Sequence, residues 1–391
     1  AASSLLAAAG GDVLLRRRAL SDAGLWGPTR LDLRGELVNT RHYYTDMPLG
    51  SPSQSMPVLL DTRGAFLTVP CEETCEPHHC SPYEHSQMKL EASSTHSAPP
   101  AGQCPTYAES VAGACKWSRD FSESGSASAA VVHDIVFGRQ GSPIAFGCYT
   151  KTEGDLLEAT ASGILGLAPA LPGDASGTSF LRDLLSKFEH KSLELAVQTE
   201  GGHITFGVPT PAAGVGTRLS MNLAGGEYTI FPLGIEAADV GFEVEASSLG
   251  SRAVIASAET YALLPRPVAS ALLGRILNSC EAAGCARPAD LGNCFTVPAP
   301  GDPTRTFPTL TFKFRALDGG ESQVPWGPRD YLVKTGTTLW CAGFKAHDEP
   351  YVVLGAAWLV NKKVTLVLEP APLVVVEAPV PTSEPRSQTT A

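Results

Sequence analysis

Apolar residues occur along this chain in short runs rather than in long helical stripes. Runs rich in valine, isoleucine, leucine, threonine and phenylalanine, such as 202–207 and 309–314, are bounded by glycine or proline. The runs recur at the spacing of about 8–12 residues that is typical of short strands joined by turns. Two stretches without internal proline, 179–190 and 267–283, predict helices. We therefore expect a mostly β fold with few helices.

One short pattern occurs twice, at 59–70 and 254–265. In register, the copies share leading apolar residues, a hydroxyl residue after the key position, an aromatic residue five places after it and a proline nine places after it. Asp61 occupies the key position in the first copy, and Ala256 occupies it in the second. Each copy is followed further along the chain by an apolar-apolar-glycine run, at 164–166 and 353–355. The duplication predicts two similar lobes that differ at their equivalent key residues.

This duplicated pattern resembles the pepsin-like aspartic peptidases, in which two lobes each give one aspartate from an Asp-Thr/Ser-Gly-Ser/Thr loop to a shared water. The resemblance extends from Tyr43 to Pro379. Further matching segments follow in the family's order, at 43–46, 50–54, 146–148, 162–167 and 202–207. The cysteine-rich insert after Pro70 and the run beginning at Cys115 most resemble the nepenthesin and plasmepsin V branch.

The resemblance implies an all-β, bilobal fold with a central cleft and a few short helices. A chain of 391 residues suits two lobes, because single cores seldom grow beyond about 250–300 residues. We expect four parts: an N-terminal extension or prosegment remnant at 1–42, an N-terminal lobe with a cysteine-rich insert at 43–210, a C-terminal lobe at 211–379, and a disordered tail at 380–391.

Charge and hydropathy narrow the classes of partner. The net charge is −11, which argues against a surface that follows nucleic-acid phosphates. The chain has no apolar run of about 18 residues, the length that a membrane-spanning helix requires. We therefore expect no nucleic-acid partner and no membrane span within this sequence. A signal peptide or a membrane anchor could lie outside the given ends.

The ten cysteines divide evenly between the expected lobes. Six lie in the first, Cys71, Cys75, Cys80, Cys104, Cys115 and Cys148, and four in the second, Cys280, Cys285, Cys294 and Cys341. Even numbers favour disulfides within each lobe and an oxidising compartment. We predict the secretory pathway, either outside the cell or in an endomembrane lumen. The family resemblance suggests the pairs Cys280–Cys285 and Cys294–Cys341.

A metal site is the alternative interpretation of the cysteine-rich insert. Five potential metal ligands lie within ten residues, namely Cys71, Cys75, His78, His79 and Cys80. Zinc sites usually combine closer pairs with a second pair some distance away. We favour disulfides and expect neither a resident metal nor a cofactor.

Catalysis is in doubt because aspartic peptidases require two carboxylates. When two carboxylates lie about 3 Å apart they cannot both ionise, so one acts as a base on the bound water while the other stays protonated. Ala256 offers only a methyl group. A lone Asp61 is expected to behave as an ordinary carboxylate, ionised above about pH 4. We therefore regard Asp61 as retained but not functional.

Further departures from the family pattern surround both key positions. Arg63 replaces a glycine and could pair with Asp61, and Gly64 replaces a supporting hydroxyl. Phe121 occupies the place of the family's flap tyrosine. The altered loop residues are Thr62, Arg63, Gly64, Ser257, Ala258 and Glu259. Glu259, three residues after Ala256, is the one candidate to restore a second carboxylate.

Three functions follow from this pattern. The favoured one is a catalytically inactive protein that binds a polypeptide partner or serves as a structural subunit, as the resemblance to plant xylanase inhibitors implies. The second is a weak or unconventional aspartic endopeptidase that uses Asp61 with Glu259 or with a partner chain. The third is carbohydrate or small-ligand binding in the cleft.

Overall fold

Strands account for 47% of the computed structural model and helices for 14%, which agrees with the all-β expectation. The structure describes residues 25–75, 80, 87–100, 104–105, 108–111, 113–120, 126–139, 143–154, 161–170, 179–288, 292–298 and 302–377. Within these ranges no helix is both long enough and apolar enough to cross a membrane.

Several strands of the N-terminal lobe alternate between buried and less buried positions, because successive side chains of a strand point to opposite faces. In the second strand, for example, Tyr43, Thr45, Met47 and Leu49 are all buried. The strands of this lobe are β1 (Thr29–Glu36), β2 (His42–Leu49), β3 (Gln54–Asp61), β4 (Leu67–Pro70), β5 (Glu109–Val111), β6 (Ala114–Asp120), β7 (Ser126–Asp134), β8 (Ile144–Thr152), β9 (Gly163–Gly166), β10 (Ser192–Val197) and β11 (Glu200–Phe206).

The C-terminal lobe repeats this organisation and adds two smaller sheets, β15-β14-β19-β20 and β18-β22-β21. Its strands are β12 (Thr217–Asn222), β13 (Thr229–Ile230), β14 (Pro232–Ala237), β15 (Phe242–Glu245), β16 (Ala253–Ile255), β17 (Ala262–Pro265), β18 (Cys294–Thr296), β19 (Leu310–Arg315), β20 (Glu321–Trp326), β21 (Leu332–Lys334), β22 (Leu339–Ala342), β23 (Phe344–His347), β24 (Val352–Leu354), β25 (Lys362–Val367) and β26 (Leu373–Glu377).

The α-helices of the described residues are short, apart from one. They are α1 (Phe180–Leu185), α2 (Ala246–Leu249), α3 (Arg266–Ala282), α4 (Pro328–Tyr331) and α5 (Ala356–Leu359), with 3-10 turns at Leu90–Ala92, Ala238–Val240 and Pro303–Arg305. α1 and α3 coincide with the two predicted helices, although α1 ends earlier than the proline-free stretch suggested. The Ser179 side chain accepts a hydrogen bond from the Arg182 amide and caps the start of α1.

A continuous sheet joins the two lobes. β10 of the N-terminal lobe pairs antiparallel with β25 of the C-terminal lobe, from Ser192 opposite Val367 to Val197 opposite Lys362. β11 and β1 extend the sheet on one side, and β26 and β12 extend it on the other. β1 lies within the segment expected to be an extension, yet it forms a strand of this shared sheet.

All ten cysteines form disulfides within lobes. The pairs are Cys71–Cys148, Cys75–Cys80, Cys104–Cys115, Cys280–Cys285 and Cys294–Cys341. Both pairs in the C-terminal lobe are those that the family resemblance suggested. Because Cys71, Cys75 and Cys80 are oxidised, the insert has no thiolate to offer a metal. His78 and His79 lie outside the described residues.

Candidate functional site

The two copies of the sequence pattern form the same strand arrangement. β3 ends at Asp61 and runs parallel to β9, which places Asp61 opposite Gly166. β16 ends at Ile255, one residue before Ala256, and runs parallel to β24, with Ile255 opposite Leu354. In both lobes the key residue therefore lies where a central strand turns away from its parallel neighbour.

Each apolar-apolar-glycine run needs its glycine because the backbone of the neighbouring turn lies very close to it. A Cβ atom on Gly166 would lie 2.2 Å from the Phe66 nitrogen, and one on Gly355 would lie 2.1 Å from the Tyr261 oxygen. Any side chain would collide with backbone at either position. Phe66 and Tyr261 are the aromatic residues of the two copies, so the repeat in sequence corresponds to a repeat in geometry.

Two buried hydroxyl residues bind the loops together across the lobe boundary. The Thr62 hydroxyl donates to the Ile255 carbonyl at 2.7 Å and accepts from the Ser257 amide at 2.9 Å. The Ser257 hydroxyl donates to the Leu60 carbonyl at 2.8 Å and accepts from the Thr62 amide at 3.1 Å. This reciprocal arrangement, which we call the hydroxyl grip, brings together the loops that carry Asp61 and Ala256.

The two key positions are both buried but differ in chemistry. Asp61 is 7% exposed and Ala256 is 1% exposed. The Asp61 Oδ1 atom accepts a hydrogen bond from the Arg63 amide at 2.9 Å. Burial raises the pKa of the Tyr149 phenol, a Thr68 hydrogen bond opposes this, and the nearby Asp61 charge raises it further. Ala256 adds no polar group to this environment.

The Arg63 guanidinium is held by a carboxylate of the other lobe. Its Nε atom lies 3.1 Å from Glu227 Oε1, while Glu227 Oε2 lies 3.0 Å from Arg252 Nη1. The Arg252 guanidinium lies in turn 4.3 Å from the centroid of the Tyr351 ring. The sequence suggested Asp61 as a partner for this guanidinium. The long Arg63 side chain instead reaches across the lobe boundary to Glu227, while the Arg63 amide donates to Asp61.

The loop after Ala256 makes the same tight turn as the loop after Asp61. The Gly64 amide donates to the Asp61 carbonyl at 3.3 Å, and the Glu259 amide donates to the Ala256 carbonyl at 3.1 Å. The Glu259 carbonyl accepts from the Ala356 amide at 2.6 Å. Within the described part of the chain, no hydrogen bond or ion pair holds the Glu259 carboxylate.

Two predicted site residues, Ala258 and Phe121, do not belong to the contacts described above. The half-buried Ala258 lies in the turn beside Glu259. Phe121, the expected flap residue, lies outside the described residues. No group of three or more histidine, cysteine, aspartate or glutamate side chains in the described ranges is arranged to hold a metal ion.

Sequence reasoning missed Glu227, Arg252 and Tyr149. Glu227 and Arg252 belong to no repeated motif, and Tyr149 is a strand residue next to Cys148. The signal for Glu227 was indirect. Arginine side chains commonly pair with carboxylates, but spacing along the chain does not reveal that Glu227 is the partner of Arg63.

Comparison with known families agrees with this geometry. Residues 43–208 match the family described as xylanase inhibitor N-terminal, and residues 227–369 match the family described as xylanase inhibitor C-terminal. Both families belong to the pepsin-like aspartic peptidase clan. The two family matches therefore agree with the two-lobed structure that the duplicated strand arrangement and the shared sheet form. The chain belongs to the pepsin-like aspartic peptidase clan and contains an N-terminal and a C-terminal domain of the xylanase-inhibitor type.

Proposed function

We propose that this protein is a catalytically inactive relative of the aspartic peptidases that binds a polypeptide partner. The observation that carries the proposal is the hydroxyl grip, which joins a loop bearing Asp61 to an equivalent loop bearing Ala256. Our interpretation is that Ala256 faces Asp61 at the position of the missing second carboxylate.

One carboxylate is insufficient for the family's chemistry. The attacking water must lose a proton to a base while an acid protonates or polarises the scissile carbonyl, and the paired carboxylates divide these roles. Ala256 carries only a methyl group, so position 256 supplies no acid for this chemistry. Removing one member of such a unit generally costs nearly as much rate as removing all of it.

The ion pair between Arg63 and Glu227 supports the same conclusion. It ties the Asp61 loop to the C-terminal lobe at 3.1 Å. A peptidase loop needs an approachable backbone next to the catalytic aspartate, which is why a small residue is expected at the position of Arg63. An arginine side chain at this position, paired with the other lobe, leaves less room for a substrate beside Asp61 than a glycine would.

The proposal of a polypeptide partner rests on the matched families. Both families are described as xylanase inhibitors, and the target of such an inhibitor is itself a protein. The five disulfides support an oxidising compartment, secreted or lumenal, where the protein would meet such a partner. We further propose that the cleft lies between 211–379 and a first lobe made of 43–210 together with β1 and the turn that follows it.

Partner capture tests this proposal. The wild type and Asp61→Asn are immobilised, exposed to an extract of the native source, washed, and eluted for mass spectrometry. We expect both proteins to retain the same polypeptide, full-length, because binding does not depend on Asp61 acting as a base. Fragments from the wild type with intact polypeptide from Asp61→Asn would identify a working peptidase and overturn the proposal.

A further inference from the structure

A cavity of about 320 Å³ lies between the lobes, next to the loop that carries Ala256. The turn between β1 and β2 contributes Leu37, Val38 and Arg41, and the C-terminal lobe contributes Tyr261 and Lys345 among others. The Thr260 hydroxyl donates to the Arg41 carbonyl at 2.8 Å and fixes this turn against the Ala256 loop. We call this cavity the interlobe basic pocket.

Both charged side chains in the interlobe basic pocket are cationic. Arg41 and Lys345 line it, and none of its described lining residues is acidic. Neither cation forms a salt bridge with any residue that the structure describes. The Lys345 ammonium lies 3.9 Å from the centroid of the Tyr261 ring, which holds it without neutralising its charge. Burial lowers the pKa of His42, and the charge of Arg41 lowers it further.

The remaining walls combine the polar residues Asn293 and Thr335 with apolar side chains. They include Leu37, Val38, Val333 and Phe344. A cationic pocket of this kind is unexpected on a chain whose net charge is −11. Opposite charges across an interface supply specificity and speed association, while apolar walls favour an aliphatic neighbour.

We propose that the interlobe basic pocket receives an aspartate or glutamate side chain of the polypeptide partner, with an aliphatic residue beside it. The inference rests on the proposed function and specifies the chemistry of the partner segment. In this proposal the partner's carboxylate lies between Arg41 and Lys345. The partner's aliphatic side chain lies against Val38 and Val333.

Lys334 offers a matched control for this proposal, because it lies next to the pocket-lining residue Val333. Successive strand residues point to opposite faces, and Val333 and Thr335 both line the pocket. Lys334 lies between them, and its ammonium is 5.9 Å from the centroid of the Trp340 ring. Trp340 is not a lining residue, so Lys334→Gln removes one positive charge near the pocket without changing its lining.

Fluorescence anisotropy with two synthetic peptides tests the proposal. The probes are fluorescein-labelled acetyl-Leu-Glu-Leu-Asp-Leu-amide and its uncharged counterpart acetyl-Leu-Gln-Leu-Asn-Leu-amide. We expect the wild type to bind the acidic peptide at least about tenfold more tightly than the uncharged one, an advantage that falls with added salt. Lys345→Gln should weaken binding of the acidic peptide by about fivefold, and Lys334→Gln by less than about twofold.

A double variant completes the test. Arg41 has a φ of 61°, a conformation that asparagine tolerates well, so Arg41→Asn with Lys345→Gln should fold and bind both peptides equally weakly. Thermal unfolding checks that the variants are folded. Equal affinity of the wild type for the two peptides, no binding of the acidic peptide, or an equal loss in Lys334→Gln would each overturn this inference.

The outcomes separate this inference from the proposed function. If both peptides bind tightly and mass spectrometry recovers them uncut, the protein binds polypeptides without preferring acidic ones. The proposed function would then stand and this inference would fall. Recovery of cut peptide would instead contradict the proposed function itself.

Discussion

Thr62 and Ser257 each use one side-chain oxygen for two hydrogen bonds across the lobe boundary. Thr62 is fully buried, so Thr62→Val would leave the Ile255 carbonyl and the Ser257 amide without partners and without water. Such losses cost about 1–3 kcal/mol per buried group. For two such groups, we expect Thr62→Val to lower the free energy of unfolding, measured by urea titration, by about 2–6 kcal/mol.

The exposed Thr337 provides the control for this prediction. Thr337→Val makes the same chemical change at the surface and should alter stability by less than about 0.5 kcal/mol. Equal stability of the two variants would show that the hydroxyl grip does not hold the loops together.

Restoring the missing carboxylate alone should not restore catalysis. In Ala256→Asp, Arg63 still ties the Asp61 loop to Glu227, and Gly64 and Ala258 still lack the residues that the family loop uses. We expect no cleavage of a peptide substrate at acidic pH by this variant. Adding Arg63→Gly, Gly64→Ser and Ala258→Gly should produce pepstatin-sensitive cleavage. Full activity of Ala256→Asp alone would contradict the roles assigned to the surrounding residues.

At the scale of single residues, the sequence predicted the equivalence of Asp61 and Ala256 because both copies keep their apolar, aromatic and proline positions. It did not predict the partner of Arg63. Glu227 is far from Arg63 along the chain, and only folding of the two lobes brings them together.

Among the structural elements, the disulfides close loops of very different length. Cys71–Cys148 joins residues separated by 77 positions, and Cys280–Cys285 joins residues separated by 5. The chain-entropy argument assigns about 4.5 kcal/mol to the longer loop and about 2 kcal/mol to the shorter one. We expect the serine double variant of the first pair to lose roughly twice as much stability as that of the second. The reverse order in urea titration would contradict this argument.

The first residue of β25 is a buried lysine, and its burial predicts a dependence of stability on pH. Lys362 is 5% exposed, and its ammonium lies 3.6 Å from Asp330 Oδ2. Burial lowers the pKa of Lys362 below its ordinary value, although Asp330 opposes this effect.

Between the lowered folded pKa and the ordinary unfolded pKa of Lys362, the unfolded state binds more protons than the folded state. Stability of the wild type should therefore rise with pH on approaching about pH 10. Lys362→Met should lack this rise, so the difference in unfolding free energy between the two proteins should change between pH 7 and pH 9.5. Parallel pH profiles would contradict the assigned burial.

The elements themselves were largely predictable. Regular glycine and proline spacing predicted the short strands, and the absence of internal proline located α1 and α3. The role of β1 was not predictable, because it pairs with β11 far along the chain and carries no repeat motif. The expectation of an extension at 1–42 rested on the start of the family resemblance, whereas the sheet includes strand residues that precede it.

In the whole molecule, the lobes are joined at two places, by the shared sheet and by the hydroxyl grip. Six residue pairs connect β10 with β25, and the Tyr228 hydroxyl donates to the Leu167 carbonyl at 2.6 Å as a further buried link. The bilobal fold was predictable from the duplicated pattern. The polypeptide partner is a proposal, because a fold hosts many functions and the residues of the site decide among them.

The most direct measurement is digestion of an unfolded protein by the purified wild type between pH 3 and pH 7, followed by mass spectrometry of the products, with Asp61→Asn and Glu259→Gln in parallel. We predict no cleavage above that of Asp61→Asn and no tight binding of pepstatin, because the inhibitor's hydroxyl gains its affinity between two carboxylates. Pepstatin-sensitive cleavage by the wild type that Glu259→Gln abolishes would contradict the account, and it would establish Asp61 and Glu259 as a working pair.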